Sequence, residues 1–141
     1  MKPTAGDVDE FLAKTSPEQR RRDAETMTAI LREITGREPV LWGSIVGFGA
    51  CHYRYPTGTE GDSPILAFAA RKKATTVYLL DGIDAHTGDL ATLGPHQTGR
   101  GCLYLGDVDA TDRAVLRSLL AESYRRVVDN AVPGAEITVT D

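Results

Sequence analysis

Five side chains in this 141-residue chain have the chemistry of metal ligands or of nucleophile–base pairs: Cys51, His52, His86, His96 and Cys102. Zinc sites are built on close pairs such as Cys-x-x-Cys or His-x-x-x-His, because one turn or helix face must present two ligands to one ion. Neither spacing occurs here. Cys51 and His52 are adjacent, and adjacent residues of a strand point to opposite faces, so they cannot ligate one ion without a bulge. The expectation is no metal and no cofactor. Cys102 follows His96 closely in sequence, and a Cys–His pair can supply a thiolate nucleophile. Cys102 also opens an apolar segment, where a free cysteine is commonly a small buried hydrophobe. Ser44 lacks a Gly-x-Ser-x-Gly elbow. No catalytic residue is assigned on these signals.

Cations offer a different chemistry. Arg71-Lys72-Lys73 follows an apolar segment, and Thr98-Gly99-Arg100-Gly101 forms a polar loop. Glycine exposes backbone N–H groups, threonine adds a hydroxyl and arginine a two-pronged donor, a set suited to carboxylate or phosphate. The loop lacks P-loop spacing, so nucleotide binding does not follow. Trp42, beside a glycine, is a candidate pocket floor. The expected ligand-binding residues are Trp42, His52, Arg71, Lys72, His96, Thr98, Gly99 and Arg100. Of these, His52, Arg71, Lys72, Thr98 and Arg100 are expected to border one partly enclosed polar surface. Glu60 and Asp62 read as turn residues.

These residues must be positioned by a small fold. The length fits one domain over residues 1–141, with 41% hydrophobic and 26% charged residues, ordinary globular values. A net charge of −4 argues against a nucleic-acid binder, which usually carries a basic face. No apolar run is long enough to cross a membrane, and residues 1–7 contain no signal-peptide core. The cytoplasm is the expected location, where Cys51 and Cys102 remain unbridged thiols.

Asp7 caps a short helix from Val8 to Lys14. Ser16 as N-cap and Pro17 at the first helical position open a long helix to about Thr35, with Ala24, Met27, Ile30, Leu31 and Ile34 on one stripe and Gly36 as the stop. The run containing Arg20, Arg21, Arg22 and Asp23 reads as its solvated face. Pro39 to Gly43 is a transition. Strands follow at about Val46–Tyr55, Ile65–Ala70 and Thr76–Leu80, joined by short links as an antiparallel meander, the second central because it is apolar throughout. Gly47 and Gly49 mark a bulge or a close backbone approach. A short helix within Asp84–Leu93, a loop from Gly94 to Gly101, a fourth strand Cys102–Leu105 and a helix from Thr111 or Asp112 to about Asn130 complete the packed part, residues 7–132. Residues 133–141 read as a fraying tail. The fold class is α+β: an antiparallel sheet of four or five strands flanked by two long helices and one or two short ones.

Trp42-Gly43, Gly47-Phe48-Gly49, Tyr53-Arg54-Tyr55 and Gly58 with Glu60-Gly61-Asp62, followed by Leu93-Gly94-Pro95-His96-Gln97-Thr98-Gly99-Arg100-Gly101-Cys102-Leu103-Tyr104, together resemble family 1801 of the domains of unknown function, the YdhG-like proteins. Arg100 stands where the family pattern usually has Lys. The resemblance spans about Val8 to Val128. It implies a small α+β domain with an antiparallel sheet and flanking helices, and no settled activity. Some relatives carry a frataxin-like iron-chaperone label; the acids here are scattered among arginines and form no acidic ridge. The sequence reading is thus a binding or accessory domain for a small anionic ligand. A small enzyme using Cys102 and His96 is the alternative, and a self-associating module, in its simplest form a homodimer, is the third.

Overall fold

Residues 1–141 are described by a computed structural model. Helix α1 (Val8–Ala13) begins where the Asp7 carboxylate accepts the Glu10 N–H at 3.1 Å. Helix α2 (Glu18–Thr35) begins one residue later than expected. Pro17 is its cap residue, extended at ψ 178°, and the Ser16 side chain makes no cap bond. Gly36 closes it. The stripe Ala24, Met27, Ile30 and Leu31 is buried in the main core, as the three- and four-residue spacing requires.

The sheet is larger than four or five strands. Nine strands form two antiparallel sheets. The first contains β1 (Val40–Trp42), β2 (Ile45–Phe48), β5 (Leu66–Ala70), β6 (Thr75–Tyr78), β7 (Gln97–Thr98) and β8 (Cys102–Leu105), in the order β1-β2-β5-β6-β8-β7. The second is β4-β3-β9, built from β3 (Cys51–Arg54), β4 (Glu60–Ser63) and β9 (Glu136–Val139). The transition segment, the end of the hairpin turn and the Gly94–Gly101 loop therefore each contribute a short strand. The expected β5–β6 hairpin holds, whereas β2 pairs antiparallel with β5 across an intervening hairpin, β3–β4, that belongs to the other sheet.

The expected strand Val46–Tyr55 is divided. Gly49, at φ +72°, turns the chain from one sheet into the other, and a Cβ there would lie 2.6 Å from Ile65 Cδ1. The division changes which side chains share a face. Phe48 enters the main core, whereas Cys51 enters a second cluster with Ile65, Val127, Val132 and Ile137. Residues 133–141 do not fray, because Ile137 completes that second cluster and β9 pairs with β3 along its length.

Helix α2 and helix α4 (Arg113–Val128), capped by Asp112, pack with the short α3 (Thr87–Leu93) on one face of the larger sheet. Val46, Phe48, Leu66, Phe68, Val77, Leu103 and Leu105 supply that face. Strand alternation sends Trp42, Ile45, Gly47, Ala67, Ala69, Thr76, Tyr78, Cys102 and Tyr104 to the opposite face, which no helix of the main core covers. Its middle is made of small residues. Trp42 is buried because its indole lies over Gly47, where a Cβ would come within 2.6 Å of the ring and 2.8 Å of Pro64.

Candidate functional site

The second sheet leaves the larger one at Gly49 and returns at Pro64, so its β3–β4 hairpin stands beside the helix-free face. A cavity of about 470 Å³ lies between them. Tyr53, Tyr55 and Pro64 form one side; Ile45, Ala67 and Tyr78 belong to the sheet face; Leu79, Leu80, Gly82, Arg100 and Gly101 close one end. Tyr53 and Tyr55 are paired, ring centroids 5.6 Å apart and tilted by 52°. This volume and predominantly apolar lining, with few polar groups, is the usual character of a small-molecule site.

The charges on the lining are unequal in their freedom. Asp62 lines the cavity, but its carboxylate is 2.9 Å from His52 Nδ1; Glu60 lies 2.9 Å from Nε2 on the other side of the ring. Register sets this up, because His52 faces Asp62 and Arg54 faces Glu60 across β3 and β4. The hydrogen bonds to Asp62 and Glu60 hold the His52 imidazole above its ordinary range. Arg100 is exposed and has no carboxylate partner, so it is the only lining side chain with an uncompensated formal charge.

The expected polar surface is not assembled as one patch. The Arg71–Lys73 turn follows Ala70, which pairs with Thr75, itself opposite Leu105; Arg100 precedes Cys102, which pairs with Tyr78. The two basic segments thus lie at opposite ends of the sheet. Lys72 is exposed in its turn, Thr98 sits exposed on the edge strand β7, and His52 is held by acids on the smaller sheet. Arg71 nevertheless reaches back over the helix-free face. Its guanidinium donates to Ser44 Oγ and to the Tyr78 hydroxyl, each at 3.1 Å. Trp42 buttresses this face through Gly47 and does not line the cavity. Gly99 packs against the Tyr104 hydroxyl.

His96 and Cys102 do not pair. Gln97 is opposite Tyr104, so His96 lies at the far end of β8 from Cys102, about 10 Å along the strand at ~3.3 Å per residue. The His96 Nδ1 instead contacts the Gly94 carbonyl at 2.7 Å. Cys102 sits beside Tyr104, whose phenol is held above its ordinary range, first by hydrogen bonding with the Cys102 side chain. Both cysteines are free. Burial, then the Asp62 charge, pushes the Cys51 thiol up to about 11. The thiolate is the reactive form. One thiol per chain is therefore expected to label under native conditions near pH 8, and a second only on unfolding. Cys102→Ser should abolish the native labelling; native labelling that survives this change would contradict the assignment.

One polar cluster was not anticipated. Asp81, completely buried, accepts from Ser123 Oγ at 2.7 Å, from His86 Nε2 at 2.7 Å and from Arg126 Nη1 at 3.3 Å. Burial alone would raise its carboxyl; the hydrogen bonds from His86 and Ser123 outweigh burial and hold it below the ordinary range. The residue types are those of a hydrolase triad, but the connectivity is not. Serine and histidine both bond the aspartate, and the imidazole and carboxylate are sealed from solvent. The cluster fastens the chain after β6 to α4. No sequence signal marks it, since Asp81 and Ser123 are far apart in the chain.

Asp23, Asp107 and Asp109 bring carboxylate oxygens within 4.8 Å of one another. Each carboxylate is already engaged by donors: Asp23 by Arg20 and the Val108 N–H, Asp107 by Gln19 and the Asp109 N–H, Asp109 by Arg113. The group is a structural knot joining α2 to the segment before α4.

No helix is long and apolar enough to cross a membrane. Comparison with family models, curated proteins and solved structures finds no match to this chain.

Proposed function

We propose that this domain binds a small molecule consisting of an apolar or aromatic body and an anionic group, in the cavity between the helix-free sheet face and the β3–β4 hairpin. The observation that carries the reading is the pairing of a largely apolar cavity of about 470 Å³ with one uncompensated cationic side chain, Arg100, at its end. An apolar body would displace water from Ile45, Ala67 and the tyrosine rings, a favourable exchange that is non-directional. The guanidinium would then fix orientation through charge-assisted hydrogen bonds. Tyr53, Tyr55, Arg100 and Gly101, which carry part of the resemblance to the YdhG-like family, all line this cavity. That supports reading the resemblance as a binding or accessory domain whose motif residues would surround a ligand. The Cys102–His96 chemistry has no supporting geometry, and no enzymatic step is proposed.

A panel of aromatic and aliphatic carboxylates, each with its neutral amide, tests the reading by thermal shift and calorimetry. The acids are expected to stabilise the protein and the amides much less. Arg100→Ala should weaken acid binding roughly 10- to 100-fold, since a hydrogen bond to a charged group contributes about 1.5–3 kcal/mol. Raised salt should weaken binding to the wild type more than to the variant. If no acid binds, or if acids bind both proteins equally, the site is not the one described.

A further inference from the structure

The cavity has a second polar end, and this follows from a hydrogen bond that the single-anion reading does not use. Tyr78 lines the cavity, and its hydroxyl accepts from Arg71 Nη2. A phenol oxygen that accepts from a guanidinium keeps its own O–H free to donate. Arg71 gives one further N–H to Ser44 Oγ, so three of its five N–H donors remain unused. Ser44 precedes β2, Arg71 follows β5 and Tyr78 belongs to β6, so the guanidinium bridges the outer two of three adjacent strands across the middle one. It is held on the sheet face by two neutral oxygens, with no carboxylate to compensate it.

Arg71 and Arg100 come from opposite ends of the β5–β6–β8 ladder, and the Tyr78 side chain meets Arg71 from the Arg100 end. The turn carrying Arg71 adjoins the Thr75–Leu105 pair, and Arg100 lies just beyond the Tyr78–Cys102 pair. Five to six residues of strand, on the order of 16–20 Å at ~3.3 Å per residue, separate the Arg71 and Arg100 backbones, and the Arg71 side chain reaching back to the Tyr78 hydroxyl shortens the span between the donors. Between them the floor is Ala67 and Ile45, with no hydrogen-bonding side chain. The one acid on the lining, Asp62, is engaged by His52. A net-acidic chain thus presents a trough with Arg100 on its lining and, at the Tyr78 hydroxyl, the Arg71 guanidinium standing just outside the lining, with an apolar middle.

We infer that the cavity takes a two-headed ligand: an elongated apolar body with a carboxylate at Arg100 and a second anionic or carbonyl acceptor at the Tyr78 hydroxyl and Arg71 guanidinium. The inference rests on the proposed small-molecule site and specifies its substrate class. A single-headed acid of the same length would fill the same floor and satisfy one pole only. The second head would be received by donors already fixed in place by Ser44 and by each other, so little ordering is required on binding.

The test uses nonanoate, nonanedioate and the monomethyl ester of nonanedioate with wild-type protein, Arg71→Ala, Tyr78→Phe and Arg100→Ala, measured by calorimetry at fixed salt. On wild type the diacid is expected to bind about tenfold or more tightly than the monoacid, with the monoester between them. A tenfold preference corresponds to about 1.4 kcal/mol. Arg71→Ala should remove that preference, bringing diacid affinity down to that of nonanoate on the same variant; Tyr78→Phe should reduce the preference. Arg100→Ala should weaken both acids. Because Arg71 is exposed, its removal should leave the melting temperature of the free protein near that of wild type. Equal binding of monoacid and diacid to wild type would overturn the second pole while leaving the single-anion site standing. A diacid preference that survives Arg71→Ala and Tyr78→Phe would also overturn it. No binding of either acid to wild type would overturn both the second pole and the site on which it depends.

Discussion

Replacing Arg20 by alanine is expected to lower the unfolding free energy by about 3–5 kcal/mol, a large part of the ~5–15 kcal/mol typical of a domain. Arg20 and Asp23 retain 3% and 1% side-chain exposure, and their ion pair measures 3.2 Å. Arg20 also donates to Thr75 Oγ at 3.1 Å, to the Leu105 carbonyl at 3.2 Å and to the Gly106 carbonyl. Asp23 accepts the Val108 N–H at 3.2 Å. One buried pair thus ties α2 to the ends of β6 and β8 and to the segment that leads into α4. Truncating the arginine leaves a buried carboxylate without its counter-charge and takes a donor from Thr75 Oγ and from the Leu105 and Gly106 carbonyls. The appropriate comparison is Arg21→Ala. Arg21 is 37% exposed and pairs with Glu18 and Glu25 on the surface, so its loss should cost about 0–1 kcal/mol. Arg20→Met with Asp23→Leu should recover much of the single-variant loss, because it removes both buried charges together. Denaturant unfolding of the three variants decides the matter. An Arg20→Ala protein as stable as Arg21→Ala would show that the pair is not a structural anchor.

Ile137→Ala is expected to cost about 2–4 kcal/mol, the range for truncating a large aliphatic side chain in a packed site. Ile137 is only 5% exposed and packs in the cluster with Cys51, Ile65, Val127 and Val132. Its N–H donates to Asn130 Oδ1 at 2.7 Å, it faces Tyr53 across the β3–β9 ladder, and Thr140 donates to the Ala50 carbonyl at 2.9 Å. The effect should reach the ligand cavity, because β9 supports the strand that carries Tyr53. Chemical denaturation measures the cost. Hydrogen exchange supplies an independent check: the β9 amides that bond to β3 should exchange far more slowly than those of a frayed terminus. Fast exchange there, together with a negligible effect of Ile137→Ala, would return residues 133–141 to a loose tail.

The local signals in the sequence were reliable where a residue's own backbone or period decides the outcome. The Asp7 cap, the α2 stripe, the Gly36 stop, the Asp112 start of α4 and the Cys102–Leu105 strand each depend on near neighbours. The antiparallel β5–β6 hairpin followed from its short link, and the central place of β5 from its unbroken apolar run; the β3–β4 hairpin between β2 and β5 did not show. Very short strands escaped, since two or three residues such as Gln97–Thr98 show no period and exist only because β8 offers a partner.

By itself the sequence determined an α+β chain with a helix-covered antiparallel sheet. It did so because hydrophobic period, capping and turn chemistry are properties of contiguous residues. Only the tertiary structure decided which way charged residues face and which distant groups meet. Arg20 and Asp23 sit within a charge run whose composition suits a solvated face, yet Thr75, Leu105 and Val108, remote in the chain, receive them in the interior. Gly49 redirects half of an apparently continuous strand into another sheet, which moves His52 away from the basic loops and forms the cavity wall from Tyr53 and Tyr55. The Arg71 and Arg100 loops both read as cationic in sequence; strand direction sets them at opposite ends of the ladder. Hydrogen-bond register across strands fixes such distances, and register is a relation between segments that no single segment contains.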